Sequence, residues 1–222
     1  MNHNTPVITI DGLASSGKTS ISKKLSTKLG YYFLDSGILY RSAAFLALEH
    51  DLESNPIRLI KIFNTRINLV PDNQLRFKIY YENSDITSTL YKEEIGTLAS
   101  KISQFQEVRE HLISLQHSCV KSPGLVVNGR DMGTIVFPNA KLKLFIVADL
   151  SIRAKRRFEQ LQDTNHKASL KEIEQMLESR DKSDKHRKIS PLKAADDAVE
   201  IDTSNVNVDT VLDNILELYN IW

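Results

Sequence analysis

VITIDGLASSGKTS, residues 7–20, runs from a short apolar stretch into two glycines, a lysine and a threonine. Residues 12–19, Gly12-Leu13-Ala14-Ser15-Ser16-Gly17-Lys18-Thr19, satisfy the pattern GxxxxGK[ST]. The pattern has meaning only between a strand and a helix. Both are expected here, a strand over Val7 to Asp11 and a helix over Lys18 to Leu29. Successive backbone N–H groups in such a loop point at phosphate oxygens, and the helix N-terminus adds partial positive charge. Lys18 is then expected on the β- and γ-phosphates of a nucleoside triphosphate, with the Thr19 hydroxyl on Mg2+.

Working outward, further short β-rich runs fall at Tyr31 to Leu34, Leu125 to Asn128, Leu142 to Val147 and Val199 to Asp202. Each is nearly continuously apolar, as strands buried on both faces are. Helical patterns lie between them, at Ser36 to His50, Tyr91 to Ser103, Glu107 to Val120, Ser151 to Leu161, Leu170 to Lys182 and Asp209 to Tyr219. The alternation predicts an α/β fold with a parallel sheet flanked by helices. Residues 66–89 break the rhythm, because PDN and ENSD separate runs rich in Ile, Phe and Tyr. They predict a small antiparallel insertion. QDTNHKAS, residues 162–169, is the segment expected to be mobile.

The loop does not say where a γ-phosphoryl group goes, since GTPases, motors and small-molecule kinases share it. No NKxD-like base-reading motif of a GTPase is present. Arginines supply the next clue. LDSGILYR (34–41) and NGRDMGTIVFP (128–138) follow predicted strands, and SRDKSDKHRK (179–188) follows a predicted helix. Ligands of open α/β sheets bind at the carboxyl ends of strands, so Asp35, Ser36, Arg41, Arg130 and Asp131 are expected at one such edge. Arginine's fork suits bidentate phosphate contacts, and a transferring phosphoryl group needs positive charge around it. No histidine or carboxylate stands out as a general base. A phosphate acceptor needs none, because its second pKa of about 6 leaves the attacking oxygen largely ionised. Against this stand an N-cap role for Asp35 and a solvated helix end for SRDKSDKHRK.

With these segments in hand, and with LASKISQFQEVRE and RAKRRFEQLQ added, nearly the whole chain resembles the bacterial cytidylate kinases, a family of nucleoside monophosphate kinases. The resemblance implies a P-loop kinase fold with a five-stranded parallel sheet, a small antiparallel insertion and a mobile lid. It implies one domain, with core segments 1–35, 120–161 and 190–222, a monophosphate-binding region over 36–119, and a lid over 162–188. ATP is then expected on Gly12, Leu13, Ala14, Ser15, Ser16, Gly17, Lys18, Thr19, Ser20 and Arg156, with Arg157 the alternative beside the adenine. CMP is expected on Ser36, Arg41, Ser100, Arg109, Arg130, Asp131, Arg180, Asp184 and Arg187, of which Ser100, Arg109 and Asp131 face the cytosine. Lys18, Arg130, Arg180 and Arg187 are the implied catalytic set, and Mg2+ the implied cofactor. An accepting carboxylate beside a donating guanidinium complements cytosine, whose exocyclic amine donates and whose N3 accepts; uracil reverses both. Two departures from the family pattern are Leu13 in place of a frequent proline and Ser15 in place of a frequent glycine. The lid segment departs at Lys182, Ser183, Lys185 and His186.

Composition bounds the rest. The chain has 222 residues and a mass of 25.2 kDa, with 29 Lys plus Arg against 28 Asp plus Glu. A net charge of +1 offers no global attraction to nucleic acid or to anionic membranes. The segment MNHNTPVITIDG lacks a cationic, then apolar, leader pattern, so a soluble intracellular protein is expected, and the resemblance implies a cytoplasmic monomer acting on small molecules. Cys119, the single cysteine, reads as a small core residue. Kinases acting on AMP, UMP, shikimate or dephospho-coenzyme A remain the near alternatives, and an ATP-binding regulatory module that uses SRDKSDKHRK on RNA or protein is the distant one.

Overall fold

The computed structural model describes residues 5–162 and 168–221. In chain order the elements are β1 (Val7–Gly12), α1 (Lys18–Leu29), β2 (Tyr32–Asp35), α2 (Ser36–Glu49), α3 (Pro56–Arg66), β3 (Ile67–Pro71), β4 (Phe77–Tyr81), β5 (Ser84–Asp85), α4 (Glu93–Ile102), α5 (Gln106–Ser118), β6 (Leu125–Asn128), β7 (Leu142–Val147), α6 (Leu150–Gln162), α7 (Leu170–His186), β8 (Val199–Asp202) and α8 (Val208–Ile221). A five-stranded parallel sheet has the order β2-β6-β1-β7-β8. Ile8 lies opposite Leu142 and Gly12 opposite Ile146, while Leu144 of the same strand lies opposite Val199. Every residue of β1 is buried, which is why VITI carries no polar face for solvent. Strand β8 departs from that expectation: Val199 and Ile201 are half-buried and Glu200 and Asp202 exposed, as suits an edge strand.

The antiparallel insertion forms as β3-β4-β5, with Ile67 opposite Tyr81 and Pro71 opposite Phe77. Helix α3 is an addition to the sequence-based pattern. Asn55 caps it by accepting from the Arg58 N–H at 3.1 Å, Pro56 occupies its first turn, and Leu59 and Phe63, four apart, bury one face. Helix α7 continues past the expected Lys182 to His186, so most of SRDKSDKHRK is the helix's last two turns rather than a segment after it. Its start is sharply specified: the Ser169 hydroxyl accepts from the Glu172 N–H, and the Glu172 carboxylate accepts from the Ser169 N–H at 2.7 Å.

By contacts the chain divides into two compact units, one of Met1–Pro6 with Ser26–Val127 and one of Val7–Leu25 with Asn128–Trp222. The first holds an apolar core of α2, α3, α4, α5 and the small sheet, in which Leu39, Ala44, Leu46, Ile79, Leu90, Ile102 and Leu112 are fully buried. Burying one such Leu or Ile stabilises the fold by about 1.5–3 kcal/mol. In the second unit, Ala14 of the glycine-rich loop packs in one cluster with Ala154 of α6 and Ile173 and Leu177 of α7. Of the stretch 162–169 expected to be mobile, residues 163–167 lie outside the described residues. Among the described residues no helix is long and apolar enough to cross a membrane.

Candidate active site

The loop of residues 12–17 leaves β1 through a glycine that nothing else could replace. Gly12 has φ +142°, and a Cβ there would sit 2.0 Å from the Ile146 carbonyl oxygen of the neighbouring strand. Gly17 also has positive φ, and so does Ser15, at 58°. A serine therefore holds a left-handed conformation that glycine adopts without cost. Helix α1 then starts with the Ile21 N–H donating to Gly17 O at 3.1 Å. Lys18 is buried and donates from Nζ to Leu13 O at 2.5 Å, folding back over the loop. Beneath it, Thr203 after β8 donates to Ser16 O at 2.9 Å, and Arg156 donates to both the hydroxyl and the carbonyl of Thr203. Arg156 thus stands beside the loop, pinned to Thr203. Ala14 lies in the buried cluster described above, and Ser20 is exposed on the first turn of α1.

The second feature of this unit is the turn after β6. Asn128 ends the strand and donates from Nδ2 to Thr19 Oγ1 at 3.0 Å. Arg130 donates from Nε to Asp184 of α7 at 2.7 Å, and Asp131 lies 3.7 Å from Arg187 just beyond that helix. All four side chains are largely buried. Burial opposes ionisation of Asp184, yet Arg130, with Arg180 and Arg187, holds its carboxyl below the ordinary value. The unit therefore gathers Arg130, Asp131, Arg180, Asp184 and Arg187 into one charged group.

The remaining expected contacts belong to the other unit. Asp35 caps α2, accepting from the Gly37 N–H at 3.1 Å, and also accepts from the Tyr91 hydroxyl. Its capping role is thereby established, and Ser36 is buried in the helix's first turn. Arg41 donates to Leu90 O at 2.8 Å and Lys92 O at 3.2 Å, with its guanidinium over the Tyr91 ring. A Cβ at Gly96 would lie 2.7 Å from that guanidinium, so the glycine makes room for it. On α4 and α5, Ser100 donates to Gly96 O at 3.5 Å, and the buried Arg109 donates to Ser103 O at 3.2 Å while lying over the Tyr40 ring.

Three residues absent from the sequence-based set stand within this architecture. Asp11, almost fully buried, accepts from the N–H groups of Met132 at 3.0 Å and Gly133 at 2.8 Å. Burial pushes its carboxyl up to about 6, against the lowering effect of those two N–H groups. A carboxylate inside an otherwise apolar strand was the available signal. Asn128 is the second. Arg153 is the third: it donates to Ala148 O at 2.9 Å and Ala14 O at 3.2 Å and pairs with Asp181 of α7 at 2.7 Å. Nothing in RAKRR distinguishes that buried arginine from the half-buried Arg156 and Arg157.

Residues 8–221 match the cytidylate kinase family. The chain belongs to that family. The kinase is 39% identical to a cytidylate kinase of Aeromonas salmonicida over 95% of its own length and 92% of that protein's. It is 38% identical to one of Methylococcus capsulatus, covering 96% of both chains. A solved structure of an uncharacterised protein from Eubacterium ventriosum superposes with a TM-score of 0.56 at 13% identity, covering 97% of the kinase and 99% of that chain, and so shares the fold. The kinase is accordingly a phosphotransferase, and residues 12–19 carry its GxxxxGK[ST] motif.

Proposed function

We propose that this kinase transfers the γ-phosphoryl group of ATP to CMP or dCMP, giving ADP with CDP or dCDP. Membership of the cytidylate kinase family supports the reaction. The single observation that supports the division of labour is the charged group in which Arg130, Arg180 and Arg187 surround Asp184, in the same compact unit as the P-loop lysine.

In this reading Lys18 leaves Leu13 O and moves to the β- and γ-phosphates, drawing charge off the bridging oxygen. Arg130, Arg180 and Arg187 hold the equatorial oxygens and the acceptor phosphate, as phosphoryl transfer demands positioning and charge rather than a covalent partner. Arg41 and Ser36 hold the acceptor's phosphate and ribose, and Ser100, Arg109 and Asp131 read the cytosine edge. Arg156 flanks the adenine from its seat on Thr203. ATP-dependent kinases use a divalent ion, and the donor set suits Mg2+. The Thr19 hydroxyl accepts from Asn128 and keeps a lone pair for a hard cation. When bound, the ion neutralises charge on the β- and γ-phosphates. Of the expected lid over 162–188, residues 163–167 lie outside the described residues, and the rest, mainly α7, excludes water from the reacting phosphoryl group in this reading. The protein is a cytoplasmic monomer in this reading.

ADP formation from Mg2+-ATP, with CMP, dCMP, UMP, AMP and GMP offered separately beside a control without acceptor, tests the proposal. Fast turnover with CMP and dCMP, lost in Lys18→Ala, is the expected result. Faster turnover with another monophosphate would overturn the acceptor, and ATP consumption independent of any acceptor would overturn the mechanism.

A further inference from the structure

Five residues after β6, Met132–Val136, form a single wide helical turn in which the N–H groups of Ile135 and Val136 both donate to Asp131 O, at 3.0 and 3.2 Å. The opening N–H groups of such a turn need acceptors from outside it. An aspartate at the capping position ordinarily supplies one from its own side chain. Asp131 occupies that position and makes no such bond. The two N–H groups, on Met132 and Gly133, go instead to the two carboxylate oxygens of Asp11 on β1. The seat is close: a Cβ on Gly133 would lie 3.0 Å from Thr9 Oγ1 and 3.2 Å from Lys143. Asp131 directs its carboxylate to Arg187.

From this geometry we infer that Asp11 is a positioning residue for acceptor choice: by capping the turn in place of Asp131, it keeps the Asp131 carboxylate turned toward Arg187 and available to the acceptor's base. The inference rests on the reading of Asp131 as a cytosine contact. Without Asp11, the Met132 and Gly133 N–H groups lose their acceptors, and the Asp131 side chain at the capping position is the kind of group that takes them over. A carboxylate that turns back to cap its own helix no longer meets an exocyclic amine, and the preference for cytosine over uracil falls. The P-loop begins one residue after Asp11, so one short segment holds the triphosphate and orients the base reader.

The capping needs two acceptor oxygens, hence an ionised Asp11. Lys18 from α1, and Arg130 and Asp131 from the turn, are the charged groups that act on it. Protonation would turn one oxygen into a donor facing an N–H.

The test is kcat/KM for CMP and for UMP with wild type, Asp11→Asn and Asp131→Ala at about pH 7.5, and with wild type across about pH 5 to 8. The two acceptors carry the same phosphate, so its titration near about pH 6 cancels in their ratio. Asp11→Asn is expected to lower the CMP-to-UMP ratio by about tenfold or more, through a raised KM for CMP. The wild-type ratio should fall as pH drops below about 6, and that of Asp11→Asn should stay flat. An equal loss with both acceptors, or an unchanged ratio, would mean that Asp11 only supports the fold. If Asp11→Asn cannot be purified folded, the wild-type profile decides, and a ratio independent of pH overturns the inference. Asp131→Ala separates the two readings. If it leaves the ratio intact, Asp131 is no base reader; if it collapses the ratio while Asp11→Asn does not, only the role of Asp11 fails.

Discussion

Gly12 concentrates the demands of the loop in one residue. Its φ of +142° and the Ile146 carbonyl oxygen 2.0 Å from any Cβ leave no room for alanine. Positive φ costs an L-residue about 1–2 kcal/mol, and the steric conflict with backbone adds to it. Gly12→Ala should therefore destabilise the protein by about 3 kcal/mol or more, read as a lowered urea midpoint at constant slope. The requirement at Gly12 and Gly17 was legible in the motif, which names glycine at both places. The left-handed serine at position 15 was legible only as a departure from the family pattern. Asp11 was legible only as a carboxylate in an apolar strand, without its role, and Asn128 not at all as a working residue. Their partners, Met132 with Gly133 and Thr19, lie more than a hundred residues away along the chain.

Helices announced themselves through period and caps, and strands through short apolar runs, so most element positions were readable to within a residue or two. Helix α3 was not, although Asn55-Pro56 is a starting signal, because its apolar positions lie in a short segment beside the insertion. The end of α7 was misplaced for a related reason. Its last turns carry only charged and polar residues, and what keeps them helical is tertiary pairing of Asp181 with Arg153 and of Asp184 with Arg130. Arg153 and Asp181 are both nearly buried, so deleting one partner strands a charge. Asp181→Asn or Arg153→Met should each cost about 3–5 kcal/mol in urea unfolding, and the double variant Arg153→Met/Asp181→Leu less than the sum of its singles. Additive losses would show that the pair does not act as a unit.

Across the whole molecule, carboxylates respond to pH in opposite directions. Asp184, held below its ordinary value, adds stability that is present above the unfolded-state pKa of about 3.9 and is lost as pH falls through its folded value. Asp11 has the reverse sign. Its folded pKa of about 6 exceeds the unfolded value, so the folded state binds the extra proton between about pH 4 and 6. The stability of wild type relative to Asp11→Asn should therefore decline as pH rises through that window, by about 3 kcal/mol at most, and level off above it. Urea unfolding of both proteins at several pH values checks the sign. A difference that grows with pH would show that the two N–H bonds outweigh burial. Retaining a buried carboxylate that costs stability at neutral pH accords with a role in holding the turn.

By itself, the amino-acid sequence determined the alternation of strands and helices, the P-loop, the antiparallel insertion and the family. These rest on local regularities: residue period, glycine where φ is positive, and cap chemistry at helix ends. Only the tertiary structure decided that Arg130 meets Asp184, that Arg153 ties Ala14 to Asp181, and that Asp11 caps a turn begun by Asp131. Hydrogen bonds and ion pairs depend on distance in space. Residues far apart in the chain acquire those distances only when β1 and β7 pair and α7 packs on α6.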